Sequence, residues 1–436
     1  MPIANITSAI GAQDKTAEPF IFFENRTSKF WIRDVKDAYR PYSENKAKIV
    51  LLEVHGVGRG ITDAKLREQE LSGHLNRAVV ENGFDFPLAI SGHTKGLHEI
   101  NGKHVLVPNE PDLVKPIAGE WTVIKTIWKS ALGDEQFEWF YWWLASTLQG
   151  LHVGVWVPAP VVAFIGETGS CKSLTQSILT KVLGDREARV IQAITGGTGF
   201  NGDWAEATHL MVEDDFSENS KAIRQKIKES IKSVAVNERH RIHPKGAQAF
   251  SICPFWRMSI SCNPVEESLA VLPEIDNTVD KKLALLWFSR ATMPMPSDSA
   301  ETRKALWGAI IKELPAMVHE MLNAGAVPKA HRDTEGRCTV KAYHHPNSLE
   351  SVFSLSDDGQ WFNEFCEIIP TPWEGTAQEA HAALKDAGAS YIKGTKAIGR
   401  LMTRLCETHK RHVKCMGKPH SNLNRYRITS PAQIYP

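Results

Sequence analysis

An apolar run, Val161-Val162-Ala163-Phe164-Ile165, passes directly into Gly166-Glu167-Thr168-Gly169-Ser170-Cys171-Lys172-Ser173, and residues 174–182 then read as a helix. Few folds accommodate that order. A buried strand, a glycine turn and a helix N-terminus in succession gather backbone N–H groups at one end of a sheet, where they bind phosphate. The spacing of Gly166, Gly169, Lys172 and Ser173 is that of a phosphate loop. The two glycines permit torsions that other residues resist. Residues 166–173 would cradle the phosphates, with Lys172 reaching the β- and γ-phosphates and Ser173 ligating Mg²⁺. One position departs from the pattern: Cys171 stands where glycine normally precedes the lysine, and its side chain crowds the loop.

A nucleotide hydrolase needs acids and a water-orienting group beside such a loop. His209-Leu210-Met211-Val212 reads as a strand ending in Glu213-Asp214-Asp215. One acid should complete the Mg²⁺ shell and another polarise the attacking water. Register favours Glu213 and Asp214, with Asp214 assigned to the metal and Asp215 left open. A third strand over 257–262 ends at Asn263-Pro264, where the Asn263 amide either orients water near the γ-phosphate or simply makes an Asn-Pro turn. The apolar runs 161–165, 190–194, 210–212 and 258–262 suit strands buried on both faces in a parallel sheet covered by helices.

This order of motifs resembles the superfamily 3 helicases, a branch of the AAA+ ATPases, and within them the phage and poxvirus-type primase-helicases. The residues that carry the resemblance are 166–173, 209–215, 235–246, 256–264 and 272–282, and it is strongest over 150–292. The resemblance implies a homo-hexameric ring with ATP between subunits, Asn263 as a sensor, and a basic finger reaching the neighbour's γ-phosphate. At the finger's place stand Lys281 and Lys282, which lack the planar fork of arginine, with Arg290 as the alternative. It also implies a pore-lining hairpin gripping single-stranded DNA. Arg239, Arg241 and Lys245, aided by His243, are its candidate phosphate contacts, against the plainer reading of a solvated basic turn.

The expected architecture is α/β. It comprises a small mixed α/β domain over 1–115, a helical collar over 116–157, and a parallel-sheet AAA+ core over 158–325. A linker over 326–357 and a winged-helix domain over 358–436 follow. In the first domain, 20–23 and 29–32 flank a hairpin turn, 48–54 reads as a strand, and Asn101-Gly102 marks a type I′ hairpin. The short glycine pattern Gly56-Val57-Gly58-Arg59-Gly60 reads as a structural turn. In the collar, Trp121, Ile124, Trp128, Trp139, Trp142, Trp143 and Leu144 fall at helical spacings on two helices broken near Gly133. Burial in a core, rather than base stacking, is the better reading of that aromatic run.

The net charge is +1, so any nucleic-acid surface must be local. The tail supplies one. Lys396, Arg400 and Arg404 recur at four-residue steps and share one helix face, where a winged helix enters a DNA groove. Lys418 and Arg425 would sit on the wing. Seven cysteines without a CxxC pair argue against a disulfide framework or a structural zinc and suggest a reducing compartment. With no secretory signal and no apolar span of membrane length, a soluble protein of the bacterial cytoplasm is expected. The first 115 residues lack a clear carboxylate pair for priming, so a separate primase is expected. The function these features point to is an ATP- and Mg²⁺-dependent DNA helicase motor of a phage, prophage or plasmid. Two alternatives are an ATP-gated replication initiator or scaffold with little hydrolysis, and a P-loop regulator of transcription or defence.

Overall fold

The computed structural model describes residues 20–195, 199–213, 221–243, 248–389, 393–408, 412–417 and 424–430. Asp214, Asp215, Lys245 and Lys418 therefore lie outside the described residues.

The N-terminal unit opens with β1 (Ile21–Glu24) and β2 (Lys29–Arg33), paired antiparallel about the expected turn, then β3 (Tyr39–Tyr42). Two helices follow, α1 (Glu44–Glu53) and α2 (Ala64–Glu81), and then β4 (Gly83–Phe84), which joins β1 in parallel. The strand expected over 48–54 is a correction: these residues belong to α1. Ala47 and Leu51, four apart, are the residues α1 buries, while Ile49 stays exposed. One-sided burial at that step suits a helix, and it overrides the β preference of the Ile-Val pair. A second small sheet holds β5 (Phe86–Pro87), β6 (Gly96–Ile100) and β7 (Lys103–Val107) in the order β5-β7-β6. Its hairpin turns on Asn101 and Gly102, both with positive φ (51° and 71°), as a type I′ turn requires.

A helical segment, α3 (Thr122–His152), crosses to the core and is interrupted at Gly133, whose φ of 70° and ψ of 171° break the helical path. Trp139, Phe140 and Trp143 are buried, and the indoles of Trp139 and Trp143 donate to the carbonyls of Lys341 (2.7 Å) and Pro160 (2.9 Å). These three rings are thus core, each contributing about 2–3 kcal/mol of apolar burial, and Tyr141 and Trp142 are half-buried against them.

The core unit contains β8 (Val161–Gly166), α4 (Lys172–Val182), β9 (Glu187–Arg189), α5 (Ile191–Thr195) and β10 (His209–Val212). It continues with α6 (Lys221–Val236), β11 (His240–Ile242), β12 (Phe250–Ile252) and β13 (Arg257–Cys262). The last elements are α7 (Glu266–Leu269), β14 (Leu283–Phe288) and α8 (Ala300–Leu322). Five strands form an all-parallel sheet in the order β14-β8-β13-β10-β9. Another correction falls here: of the apolar run 190–194, residues from Ile191 on form α5, and the edge strand is the preceding Glu187–Arg189. Side-chain alternation along β8 explains the layers. Val162 and Phe164 pack with α3 and α8, whereas Val161, Ala163 and Ile165 share a core with Ile223, Ile227 and Ile231 of α6. Strand β14, six apolar residues, and edge strand β9 have no counterpart among the strands expected from the sequence.

Beyond α8, Val327, Cys338 and Val340 are buried, and His344 pairs with Leu285 of β14. The tail unit consists of α9 (Pro346–Ser354), α10 (Asp357–Ile368), β15 (Trp373–Thr376), α11 (Ala377–Asp386), α12 (Thr395–Thr408), β16 (Val413–Gly417) and β17 (Arg425–Ile428). Its sheet order is β15-β17-β16, and it owns a core that includes Phe362, Phe365, Ile398 and Met402. None of the seven cysteines is in a disulfide. Among the described residues no helix is long and apolar enough to cross a membrane, and no cluster of three or more His, Cys, Asp or Glu could hold a metal ion.

Candidate active site

Sheet topology creates the site. The connection leaving β8 runs across to the far edge strand β9, whereas the one leaving β13 passes over β8 to reach β14. Connections diverging from adjacent parallel strands leave a crevice at their carboxyl ends, the usual ligand position in open α/β sheets. Cys262 of β13 pairs with Ile165 of β8, so Gly166 and Asn263 emerge side by side at that crevice.

The glycine loop occupies it. Gly169 has φ of 84° and Cys171 has φ of 67°, so both residues bend the chain through the left-handed region. Glycine adopts that region freely, and cysteine at a cost of about 1–2 kcal/mol. Gly166 serves a different purpose from the one its sequence position suggests. Its φ is ordinary, but an added Cβ would lie 2.3 Å from the Phe288 carbonyl oxygen of β14. Its lack of a side chain lets β14 and the loop close on each other. The Cys171 sulfur rests 3.7 Å from the Met293 sulfur. Burial pushes its thiol pKa up, with Lys172 opposing, so it packs as a thiol and is no nucleophile.

Lys172 begins α4 and is nearly buried, its Nζ donating to the carbonyls of Gly166 (2.6 Å) and Glu167 (2.9 Å) and to the Asn263 Oδ1 (3.1 Å). The ammonium and the strand-tip amide, far apart in sequence, thus meet in one place. Asn263 is itself held, its backbone N–H donating to the Ser268 hydroxyl of α7 at 2.6 Å. Ser173, one residue into α4 after Lys172, is exposed, as are Glu167, Thr168 and Gly169, while Ser170 turns inward and donates to the Glu167 carbonyl at 2.7 Å.

Beneath α4 a buried polar chain fixes that helix on the sheet. The His209 ring meets Thr180 of α4 and Ser259 of β13, each at 2.8 Å, and Gln176 of α4 donates to the same Ser259 hydroxyl at 2.9 Å. Complete burial lowers the His209 pKa to about 3, so the ring is neutral. Glu213, just past β10, pairs with Arg189 of β9 at 2.9 Å. That partner lies on the opposite side of β10 from β13 and the loop.

The three candidate fingers fall at two ends of the sheet. Lys281 and Lys282 immediately precede Leu283, which pairs with Val161 at the amino end of β8. Lys281 meets Glu335 at 3.3 Å, and Lys282 donates to the Thr278 carbonyl at 2.8 Å. Arg290, exposed, comes two residues after Phe288, which pairs with Gly166 at the loop.

The basic hairpin β11–β12 adjoins the amino end of β13, opposite the loop. His240 is buried against Trp256 with ring centroids 4.4 Å apart, while Arg239, Arg241 and His243 are exposed. A segment the sequence reading passed over supports it. Asn201 accepts from the His243 backbone N–H at 2.7 Å, and the neighbouring Phe200, 41% exposed, lies with its ring 5.1 Å from that of His243. An aromatic between glycine loop and acidic strand, flanked by Gly199 and Asn201, was the only available sequence signal. In the tail, Lys396, Arg400 and Arg404 are exposed on one face of α12, as their spacing requires. Arg404 is also bound to Asp358 of α10, its Nε donating at 2.5 Å.

Residues 164–276 match the model of a family described as of unknown function, DUF5906. No curated protein matches. A JCV helicase structure overlaps 45% of this chain and 51% of its own at 11% identity, with a TM-score of 0.28, too partial to carry an argument. An A-form apo structure of the NrS-1 C-terminal region is similar at 13% identity, over 94% of this chain and 96% of that one, with a TM-score of 0.53. The apo structure of the NrS-1 C-terminal region, residues 305–718, is similar over 94% of this chain and 96% of its own at 12% identity and a TM-score of 0.55, so this chain shares that region's fold across nearly its whole length.

Proposed function

We propose that the chain is an ATP-dependent DNA helicase motor of the superfamily 3 type, serving replication of a phage, prophage or plasmid. The observation that carries this reading is the meeting of Lys172 Nζ with Asn263 Oδ1, 3.1 Å apart, at a glycine loop seated in the crevice between β8 and β13. A lysine at the phosphates and an amide that can hold water in line with the γ-phosphate are what NTP hydrolysis asks of a site. The loop's backbone N–H groups, the α4 N-terminus and Lys172 fit a triphosphate. Exposed Ser173 fits one oxygen ligand of a nucleotide-bound Mg²⁺, with Asp214 as the proposed acid. When bound, that ion neutralises phosphate charge. Lys172 and Asn263 supply the protein's own contribution, orientation of the phosphates and of water.

On this reading the subunits form a hexameric ring, the exposed hairpin cations Arg239 and Arg241 track a DNA strand, and Phe200 offers a face for a base. The tail, with α12 and the β16–β17 hairpin, is read as a winged helix, and priming is left to a separate primase. Cys171 in the left-handed region favours one competing reading, a nucleotide-gated DNA binder without productive turnover.

The deciding measurement is ATP turnover with and without single-stranded DNA, for the wild type and Lys172→Ala. DNA-stimulated turnover abolished by the substitution supports the motor. ATP binding without turnover, with DNA present, replaces it by the gated binder.

A further inference from the structure

The exposed cationic face of α12 has acidic groups of the core unit beside it. It forms one wall of a cleft of about 950 Å³ whose lining combines Lys396, Arg400 and Arg404 of the tail with Glu274 and Asp276 of the core. Asp358 at the start of α10 lies in the same cleft and binds the Arg404 guanidinium. The acidic wall is braced from behind, because Asp276 accepts from Lys228 of α6 at 2.6 Å and from the Thr278 hydroxyl at 2.7 Å. Glu274 sits in a field of both signs: desolvation and the Asp358 and Asp276 carboxylates raise its pKa, while Arg404 and Lys228 oppose them.

A cleft with one acidic wall is a poor seat for a polyanion. A phosphate chain entering it would gain Lys396 and Arg400 but also meet the Glu274, Asp276 and Asp358 carboxylates that share the lining. The tail has its own core, which Phe353 joins, whereas the adjacent Val352 packs into the core unit's cluster, so α9 straddles the two. The two units thus have separate cores that meet at α9 and across the cleft.

We propose that the acidic 274–276 loop latches the basic face of α12, withholding the tail's DNA-binding helix from duplex DNA until the latch opens. This rests on the reading of α12 as a DNA-contacting helix. The latch acts by charge mimicry, with Glu274, which feels the Arg404 charge, standing where a phosphate would and Asp276 held beside it by Lys228. Duplex binding and the closed state therefore compete for the same cations.

The test is anisotropy titration of the full-length protein with a labelled duplex of mixed sequence at fixed salt. The variants are Glu274→Gln, Glu274→Lys and, as a charge control on the tail surface outside the cleft, Glu367→Gln; each is measured also with Lys396→Ala and Arg400→Ala added. Glu274→Gln should tighten duplex binding by about three- to tenfold and Glu274→Lys by more, as expected for freeing one or two phosphate-binding cations. Glu367→Gln should change it little, and adding the alanines should erase the gain. If both Glu274 variants bind like wild type or like Glu367→Gln, while the alanines weaken every background, the tail binds DNA and the latch is wrong. If the alanines leave binding unchanged in every background, α12 is not the DNA helix, and the latch falls with that reading.

Discussion

Cys171 is the residue at which the site departs furthest from what its chemistry asks. With φ of 67° it occupies a backbone state suited to glycine. Cys171→Gly removes that strain, about 1–2 kcal/mol, but adds unfolded-state freedom and gives up the Met293 contact. The expected result is urea stability within ~1 kcal/mol of wild type. Cys171→Val places a branched side chain in the same state and should cost about 2 kcal/mol and weaken nucleotide binding. Equal stability of the glycine and valine variants would disprove the left-handed turn. The sequence exposed this position, because the glycine was visibly missing, but it did not expose His209, an ordinary strand residue until its burial beneath α4 is known. Its native pKa of about 3 lies below the usual 6.5, so protonation favours the unfolded chain. Above pH 6.5 the residue leaves stability unchanged, and below it stability is lost progressively. At pH 5 the loss is about 2 kcal/mol, one and a half units at 1.36 kcal/mol each. Denaturant unfolding at pH 7.5 and 5.0 should show that extra loss in wild type and not in His209→Gln.

At the scale of elements, β8 and the loop were readable because every local signal agreed: apolar run, glycines, Lys-Ser and a helical pattern. The run at 48–54 was not, because a short apolar stretch fits strand or helix until something shows which side is covered. Burial of Ala47 and Leu51 alone decides for α1. Edge strand β9 has only Ala188 buried among three residues, so its sequence carried no strand signal at all. Nor could spacing reveal that Glu213 pairs with Arg189, because the two are brought together only when β9 docks beside β10. Partnership between strands also explains Gly166. A Cβ there meets the Phe288 oxygen at 2.3 Å, so Gly166→Ala must push β14 from β8, where six residue pairs are in register. The expected cost is about 3 kcal/mol or more, as for overpacking joined to broken ladder bonds. Gly169→Ala meets open space and carries only the torsional cost of its φ of 84°, about 1 kcal/mol. Thermal unfolding of the two variants ranks them, and equal losses would contradict the close approach of β14.

Across the whole molecule, the parallel sheet gives the core a polarity that no motif announces. The glycine loop and Asn263 lie at the carboxyl ends of the strands, and the basic hairpin and Lys281-Lys282 lie at the amino ends. From Leu283 to Phe288 the chain climbs five strand steps, about 17 Å at 3.3 Å per residue. A lysine side chain cannot span that gap to its own loop, so under the proposed ring assembly a finger role for Lys281 or Lys282 would have to be exerted on a neighbouring subunit. The Lys281–Glu335 pair does not prevent this, since exposed pairs of that kind are worth under about 1 kcal/mol. Arg290 stands at the loop's own end and can serve its own subunit. Mixing inactive variants separates the two cases. Lys172→Ala destroys a subunit's own loop but leaves its lysines able to serve a neighbour, while the Lys281→Ala/Lys282→Ala double variant keeps its loop and loses the finger. Each alone should fail to turn over ATP, and a mixture should regain turnover, because some loops then face an intact finger. Arg290→Ala mixed with Lys172→Ala should stay inactive if Arg290 acts in its own subunit, since the only intact loops then lack their arginine. Turnover regained in the arginine mixture and not in the lysine mixture would move the finger to Arg290 and require the neighbour's loop to approach the carboxyl end of β14.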